Sequence, residues 1–256
     1  MRRTSSEVLT RLTTIALLSA LGFVLMAFVR FSYPLAPWLQ IEISDTVVLI
    51  AYALYGFPGG AAVALIKTAL DMAIHGLTGI YGIGNITALL TSLTFALGLF
   101  LTSHAFKLFK KGLGFRILGY TVITILVAVI MTGLNALFIT PTYLDGSKFV
   151  TCFNSDAVTG VVNALKGMLK VETNSYFLII FIAYFPFNIL KGVIVCAIYE
   201  ILFNRLIFVL MQRSPKMKKY FFGPIFTKKD ATDKEILLND IELKEKAENK
   251  EETNEK

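Results

Sequence analysis

Three polar side chains lie within long apolar stretches of the second half of the chain, and together they suit a polar ligand. They are Asn135, Asn188 and Lys191, and the last two are three residues apart, so they share one face of a helix. A lysine near the centre of a membrane-spanning helix costs about 2.5–3.5 kcal/mol to insert, so a partner must offset that cost. Two carboxamides and an ammonium offer donors and acceptors to a flat, neutral ring with alternating carbonyl and N–H groups.

A structural role is the alternative for these polar groups. Asparagine in a membrane helix often forms hydrogen bonds across helices, which is the other interpretation of Asn135. Lys67 lies four residues before Asp71, a spacing at which the two side chains can form a structural ion pair. Asp71 and Glu200 are also the acids that a standalone proton-coupled carrier would use, although such carriers normally carry a relay of several carboxylates.

Four further residues are candidates for binding or docking. Asn85 follows a glycine-rich segment at 79–84, whose backbone can approach a ligand closely or can simply form turns. Trp38 lies between Pro37 and Leu39 in the first predicted outward loop, where it could cover a site or anchor the protein at the membrane interface. Ala16 and Ala20 form a small-residue face on the first apolar segment, suited to close helix packing or to a partner membrane subunit.

Composition excludes several classes of protein. The chain has 256 residues, 55% of them hydrophobic and 17% charged, whereas a soluble domain carries about 25% charged residues. The net charge of +7 fits the cytoplasmic edge of a membrane protein better than a nucleic-acid surface. The sequence contains no GxxxxGK[ST], HExxH or GxSxG motif and no metal-ligand spacing. We therefore expect no enzyme activity, no bound metal or cofactor and no nucleic-acid partner.

Six apolar segments approach the length needed to cross about 30 Å of hydrocarbon. They are about Val8–Arg30, Ser44–Phe57, Ala61–His75, Asn85–Phe109, Phe115–Ile139 and Tyr176–Leu210. The second and third are short and are separated at Pro58-Gly59-Gly60. Pro141 closes the fifth, and Pro186 predicts a kink in the sixth.

Lysine and arginine cluster before the first segment, between the fourth and fifth, and after the sixth, which places both termini in the cytoplasm. The prediction is an all-α polytopic protein of the bacterial cell membrane with six transmembrane helices and outward loops at 31–43, 76–84 and 140–175. Residues 1–213 form a substrate-binding membrane domain. Residues 214–256 form a charged cytoplasmic tail that is mostly disordered.

An ordered set of short motifs runs through the apolar segments. It comprises Ala16–Ala20, Glu42–Asp45, Gly56–Gly60, Ile66-Lys67, Leu134-Asn135 and the string Pro186-Phe187-Asn188-Ile189-Leu190-Lys191-Gly192. In this order the chain resembles the substrate-binding S component of energy-coupling factor (ECF) transporters, of the riboflavin-specific type. The sequence departs from the family's usual Lys-x-Asp-Phe-Ser-Asp string at Gln40, Glu42 and Ile43, and Thr68 stands where asparagine is common.

The resemblance implies a function as well as a fold. Such subunits bind a vitamin from outside, dock on a transmembrane coupling subunit that carries two ATPase subunits, and are thought to topple in the bilayer to release substrate. The family's flavin-contacting residues fall on Asn135, Asn188 and Lys191, and its coupling surface falls on Ala16 and Ala20. Riboflavin is then a transported substrate and not a cofactor. Another water-soluble vitamin or precursor, or a proton-coupled carrier, is the alternative.

Overall fold

The computed structural model describes residues 5–34, 36–105 and 113–213, and helices dominate this part of the chain. The helices are α1 (Ser5–Phe28), α2 (Asp45–Tyr55), α3 (Phe57–His75), α4 (Ile83–Phe100), α5 (Leu113–Leu134), α6 (Thr140–Asp145), α7 (Ser155–Leu169) and α8 (Tyr176–Arg213). Two strands, β1 (Arg30–Tyr33) and β2 (Ala36–Glu42), lie between α1 and α2. The mostly helical architecture predicted from the sequence is confirmed. The tail at 214–256 lies outside the described residues.

Five helical stretches of the described residues are long and apolar enough to cross a membrane. They are Val8–Phe28, Phe57–His75, Ile83–His104, Gly114–Asp145 and Tyr176–Leu202. The remaining predicted segment is α2, whose 11 residues extend about 16 Å, roughly half of the hydrocarbon thickness. Its first residue, Asp45, is completely buried, so α2 begins inside the protein and not at its surface.

The break between α2 and α3 lies at Gly56, two residues before the predicted position. Gly56 has a φ of +73°, which glycine adopts without strain. Pro58 follows in the first turn of α3, where its missing N–H has no helical partner to lose. A Cβ on Gly59 would lie only 2.5 Å from Tyr55 Cβ, so this glycine allows α3 to pack back tightly against α2.

The predicted loop at 31–43 is instead largely an antiparallel β-hairpin. Arg30 pairs with Glu42 across the two strands, which sets opposite charges side by side. Tyr33 and Ile41 pack on Phe187 of α8, and this tertiary contact holds the hairpin against the bundle. The sequence does not indicate β-strands here, because prolines lie within and beside them and proline is depleted from strands.

The predicted helix end at Pro141 is wrong, because the fifth helical stretch continues to Asp145. α5 passes through a π-helical turn, Asn135–Ile139, into α6. Pro141 cannot donate to the carbonyl of Leu137, and the N–H of Cys152 donates to that carbonyl instead, at 2.9 Å. The hydroxyl of Tyr176 donates to the neighbouring carbonyl of Ala136. Outside groups therefore satisfy the backbone that the π turn and the proline expose.

A further helix, α7, lies inside the predicted outward loop at 140–175. Asn154 caps its first turn by accepting a 3.0 Å hydrogen bond from the N–H of Ala157. Val161, Val162 and Leu165 form its buried face and pack on the first two turns of α8. The segment is too short and too polar to span a membrane, so the apolar length of the sequence gives no sign of this helix.

Successive long helices run in opposite directions, so alternate helix ends meet beside the hairpin. The ends of α1, α3 and α5 and the beginnings of α2, α4 and α8 lie there. We call this the hairpin end of the protein. Every intramembrane amide that the sequence singles out lies in this half of the bundle.

Candidate ligand-binding site

A cavity of about 390 Å³ lies at the hairpin end, within the range typical of small-molecule sites. Its apolar wall includes aliphatic and aromatic side chains from the hairpin, α1, α8 and the end of the fifth helical stretch. These are Met26, Leu39, Ile139, Tyr143, Tyr184 and Phe187. Its polar wall brings together groups that are distant in sequence, including Arg30, Glu42, Asp71, Asn85, Asn135 and Lys191. The mixture suits a ligand with a large apolar body and a few polar groups.

Lys191 extends from α8 into this wall and is held by two carboxylates. Its Nζ lies 3.1 Å from Asp45 Oδ2 and 3.4 Å from Glu42 Oε1. The residue is only 5% exposed, so these acids offset the cost of burying its charge. The sequence predicted the buried ammonium but not its acidic partners.

Asp45 also binds the second buried lysine. Its Oδ1 accepts hydrogen bonds from Lys67 Nζ at 2.9 Å and from Ser92 Oγ at 2.5 Å. Lys67 is completely buried and also donates to Ser44 Oγ at 2.6 Å. The suggested pairing of Lys67 with Asp71 is therefore wrong, because the start of α2 brings a carboxylate to Lys67 directly. We call Glu42, Asp45, Lys67 and Lys191 the lysine cluster.

Asp71 organises a second group of polar side chains, of which Arg30, Asp71 and Asn85 line the cavity. Its Oδ1 lies 3.0 Å from His75 Nδ1 and 3.5 Å from Arg30 Nη2, and its Oδ2 accepts a 2.9 Å hydrogen bond from Asn85 Nδ2. Asn85 Oδ1 in turn accepts from the backbone N–H of Thr78, which fixes the orientation of the amide. We call Arg30, Asp71, His75 and Asn85 the arginine cluster.

The two predicted asparagines of the later helices are placed differently. Asn135 lines the cavity at the start of the π turn, where it donates to the carbonyl of Met131 at 2.8 Å and accepts from Thr140 Oγ1 at 3.1 Å. Asn188 is buried but is not among the described residues that line the cavity, and it donates to the carbonyl of Tyr184 at 2.9 Å. The structure therefore brings Asn135 and Lys191 to one cavity and leaves Asn188 one turn away from Lys191.

The remaining predicted residues lie apart from the cavity or outside the described part of the chain. Trp38 belongs to β2, but its side chain is not among those described. Ala16 and Ala20 are exposed on α1, while the neighbouring Ser19 is buried and donates to the carbonyl of Ile15 at 2.8 Å. The small-residue face is therefore at the surface of the bundle and is accessible to lipid or to a partner.

Sequence reasoning missed Arg30 and the counterions Glu42 and Asp45. A signal for the counterions was present, since two lysines within apolar segments require nearby acids. Glu200, considered for proton transfer, pairs with Arg116 and accepts a hydrogen bond from Tyr120, between α5 and α8. These contacts give Glu200 a structural role.

Comparisons with known proteins identify the family of the chain. A family model described as "ECF transporter, substrate-specific component" matches residues 10–203. The riboflavin transporter RibU of Staphylococcus aureus (strain TCH60) is 28% identical over 197 residues, covering 77% of this chain and 89% of the relative. The riboflavin transporter FmnP of Bacillus subtilis (strain 168) is 28% identical over 200 residues, covering 77% of this chain and 91% of the relative.

A solved structure shares the fold. It is described as "Structure and mechanism of the S component of a bacterial ECF transporter" and aligns with a TM-score of 0.55 at 26% identity. The alignment covers 78% of this chain and 97% of that chain.

Proposed function

The chain belongs to the substrate-specific components of ECF transporters, and on that premise we propose that its cavity captures riboflavin for import. As a member of this family it is a multi-pass protein of the bacterial plasma membrane and a substrate-binding component, not an enzyme. The observation that carries the proposal is one cavity that joins Asn135 and Lys191 to apolar and aromatic walls. The names of the two riboflavin-transporting relatives support the same substrate.

The chemistry of riboflavin fits the two sides of the cavity. The isoalloxazine ring has an apolar xylene end and a pyrimidine-like edge with two carbonyls and one N–H. Asn135 and the ammonium of Lys191 supply hydrogen-bond partners for that edge. Asn188 lies three residues before Lys191 on the same face of α8. An analogue without those polar atoms would leave buried groups unpaired, so the site discriminates against it.

The polyol chain of riboflavin needs both donors and acceptors for its hydroxyl groups. The arginine cluster supplies a carboxylate, a guanidinium and a carboxamide at the same cavity. We assign the hydroxyl chain to Asp71, Arg30 and Asn85, with the ring directed towards Lys191. Trp38 remains a proposed cover for the site.

The ATP that drives uptake in this proposal must be hydrolysed by a partner, since this sequence carries no GxxxxGK[ST] motif. In the proposal, the hairpin end faces the exterior, both termini are cytoplasmic, and the protein acts with a transmembrane coupling subunit and two ATPase subunits. The exposed face at Ala16 and Ala20 docks on the coupling subunit, because small residues allow two helices to approach closely.

The docking surface can be tested separately from the cavity. Ala16→Trp and Ala20→Trp should abolish vitamin uptake in cells and co-purification with the coupling subunit, while leaving riboflavin affinity within about twofold. Leu21→Trp is the matched control, because Leu21 is exposed on the same helix and is neither three nor four residues from Ala16 or Ala20. Normal assembly of both alanine variants would place the docking surface elsewhere.

Identification of the small molecule that co-purifies with the protein tests the substrate itself. Mass spectrometry of the extracted ligand should find riboflavin, and the preparation should be yellow. Recovery of a different vitamin, with no exchange for added riboflavin, would support the same kind of component with another substrate.

A further inference from the structure

Asp45 lies between the two buried lysines, one step behind the cavity wall. Its side chain is completely buried, and it is not one of the described residues that line the cavity. One carboxylate oxygen is bound by Lys67 and Ser92, from α3 and α4, and the other lies 3.1 Å from Lys191 on α8. A single carboxylate at the start of α2 therefore joins three other helices.

This arrangement fixes the direction in which the carboxylate faces Lys191. Lys67 and Ser92 both bind Oδ1, which leaves Oδ2 directed towards the ammonium of Lys191. The lysine side chain is a flexible four-carbon stem, so an anchor of this kind determines where its charge lies. Glu42, on the hairpin, provides a second and longer contact at 3.4 Å.

The ammonium of Lys191 keeps a donor for a ligand. Of its three N–H donors, one forms a 3.4 Å hydrogen bond with Glu42, and allowing a second for the 3.1 Å ion pair with Asp45 Oδ2 leaves a third. Because Lys191 also lines the cavity, a carbonyl of a bound ring can accept from the third donor.

We infer that Asp45 is a positioning residue for substrate binding, which acts by holding the Lys191 ammonium at the cavity wall. This inference rests on the proposed function, since riboflavin is the probe that reports the position of Lys191. Asp45 acts through Lys191 and does not touch the substrate. Lys67 and Ser92 act one step further back by fixing the carboxylate.

A double-mutant cycle separates positioning from a general effect on stability. Riboflavin affinity is measured by flavin fluorescence quenching for the wild type, Asp45→Asn, Lys191→Met and the double variant. We expect Asp45→Asn to weaken binding at least about tenfold when Lys191 is present, because the ammonium loses the buried ion pair that holds it at the cavity wall. In the Lys191→Met background, the same substitution should weaken binding by less than about threefold.

Equal losses in the two backgrounds would overturn the inference, because a merely structural residue would affect both alike. Glu200→Gln is the control, since it breaks a different ion pair between helices, a partly buried one that lies outside the cavity. It should lower the melting temperature while changing riboflavin affinity by less than about twofold. A tenfold loss of affinity in Glu200→Gln would mean that affinity follows stability, and this too would overturn the inference.

A charge-balanced background keeps the test valid if Asp45→Asn does not fold. Lys67→Met with Asp45→Asn removes one charge of each sign and leaves Lys191 beside Glu42. Its affinity is compared with that of Lys67→Met alone, each with and without Lys191→Met, and the same non-additivity is expected. Absence of riboflavin binding to the wild-type protein would defeat the proposed function and this inference together, whereas binding with additive effects defeats the inference alone.

Discussion

The lysine cluster and the arginine cluster meet at one cavity but differ in their exposure to solvent. In the lysine cluster, Lys67 and Asp45 are fully buried and the side chain of Lys191 is 6% exposed. In the arginine cluster, Asp71 is 3% exposed, but Arg30 and His75 are 37% and 45% exposed. The two clusters, each built around a buried carboxylate, therefore face different environments.

This difference assigns the clusters different roles. Charges inside the bundle interact strongly and are expensive to leave unpaired, so the lysine cluster must be formed before any ligand arrives. The arginine cluster includes partly exposed side chains, whose ion pairs contribute little to stability and can rearrange. A preformed cluster suits the rigid ring of a flavin, and an adaptable one suits its flexible hydroxyl chain.

The largest expected difference between the clusters is in folding stability. Lys67→Met leaves two carboxylates and one ammonium in the buried lysine cluster, and we expect this unbalanced charge to cost about 3–5 kcal/mol of unfolding free energy. Arg30→Gln, which breaks a half-exposed pair in the arginine cluster, should cost about 0.2–1 kcal/mol. Thermal unfolding of the purified variants in one detergent, followed by helical circular dichroism, compares the two.

The double variant Lys67→Met with Asp45→Asn is the control for this stability comparison. It should be more stable than either single variant, because it leaves equal numbers of positive and negative charges in the lysine cluster. If Lys67→Met and Arg30→Gln have the same melting temperature as the wild type, the lysine cluster does not contribute more to folding stability than the arginine cluster.

The next effect concerns the ring of the ligand. Lys191→Met should weaken riboflavin about tenfold to a hundredfold, because a hydrogen bond from a charged group contributes about 1.5–3 kcal/mol. The affinity for lumiflavin, which has a methyl group in place of the hydroxyl chain, should fall by the same factor. A loss for riboflavin without a loss for lumiflavin would move Lys191 to the hydroxyl-chain side of the site.

Asn188→Leu tests whether the Asn188 side chain also binds the flavin ring. Asn188 donates to the carbonyl of Tyr184 on its own helix, so we expect a smaller loss of affinity than for Lys191→Met. A loss as large as that of Lys191→Met, in titrations run side by side, would mean that the Asn188 amide reaches the ring directly.

The smallest effect belongs to the arginine cluster. Asp71→Asn should weaken riboflavin about threefold to tenfold, as expected for hydrogen bonds worth about 0.5–1.5 kcal/mol, and should leave lumiflavin unchanged. Asn85→Ala should behave in the same way, because Asn85 binds the same carboxylate. Equal losses for the two flavins would contradict the division of the cavity into a ring side and a hydroxyl-chain side.

The sequence predicted the long helices well and the connections between them poorly. Apolar length is a property of the chain alone, so α1, α3, α4 and α8 are recognisable from their residues without any knowledge of their neighbours. The hairpin depends on packing against Phe187, and the continuation past Pro141 depends on Cys152 and Tyr176, all distant along the chain. Such tertiary contacts have no local sequence signal.

The cavity could be predicted in part for a similar reason. Buried amides and lysines are conspicuous in apolar segments, so Asn85, Asn135 and Lys191 are identifiable as candidates. Their partners Asp45 and Asp71 are harder to assign, since a four-residue spacing suggests that Lys67 binds Asp71. The start of α2 inside the bundle decides that pairing, and its depth is not visible in the sequence.

Titration of the ligand-free purified protein with riboflavin, followed by flavin fluorescence, tests whether the cavity is a riboflavin site. We expect saturable quenching at micromolar or lower concentration with one riboflavin bound per chain. Fluorescence that remains unquenched in that range, from protein that is folded and free of competing ligand, would contradict it.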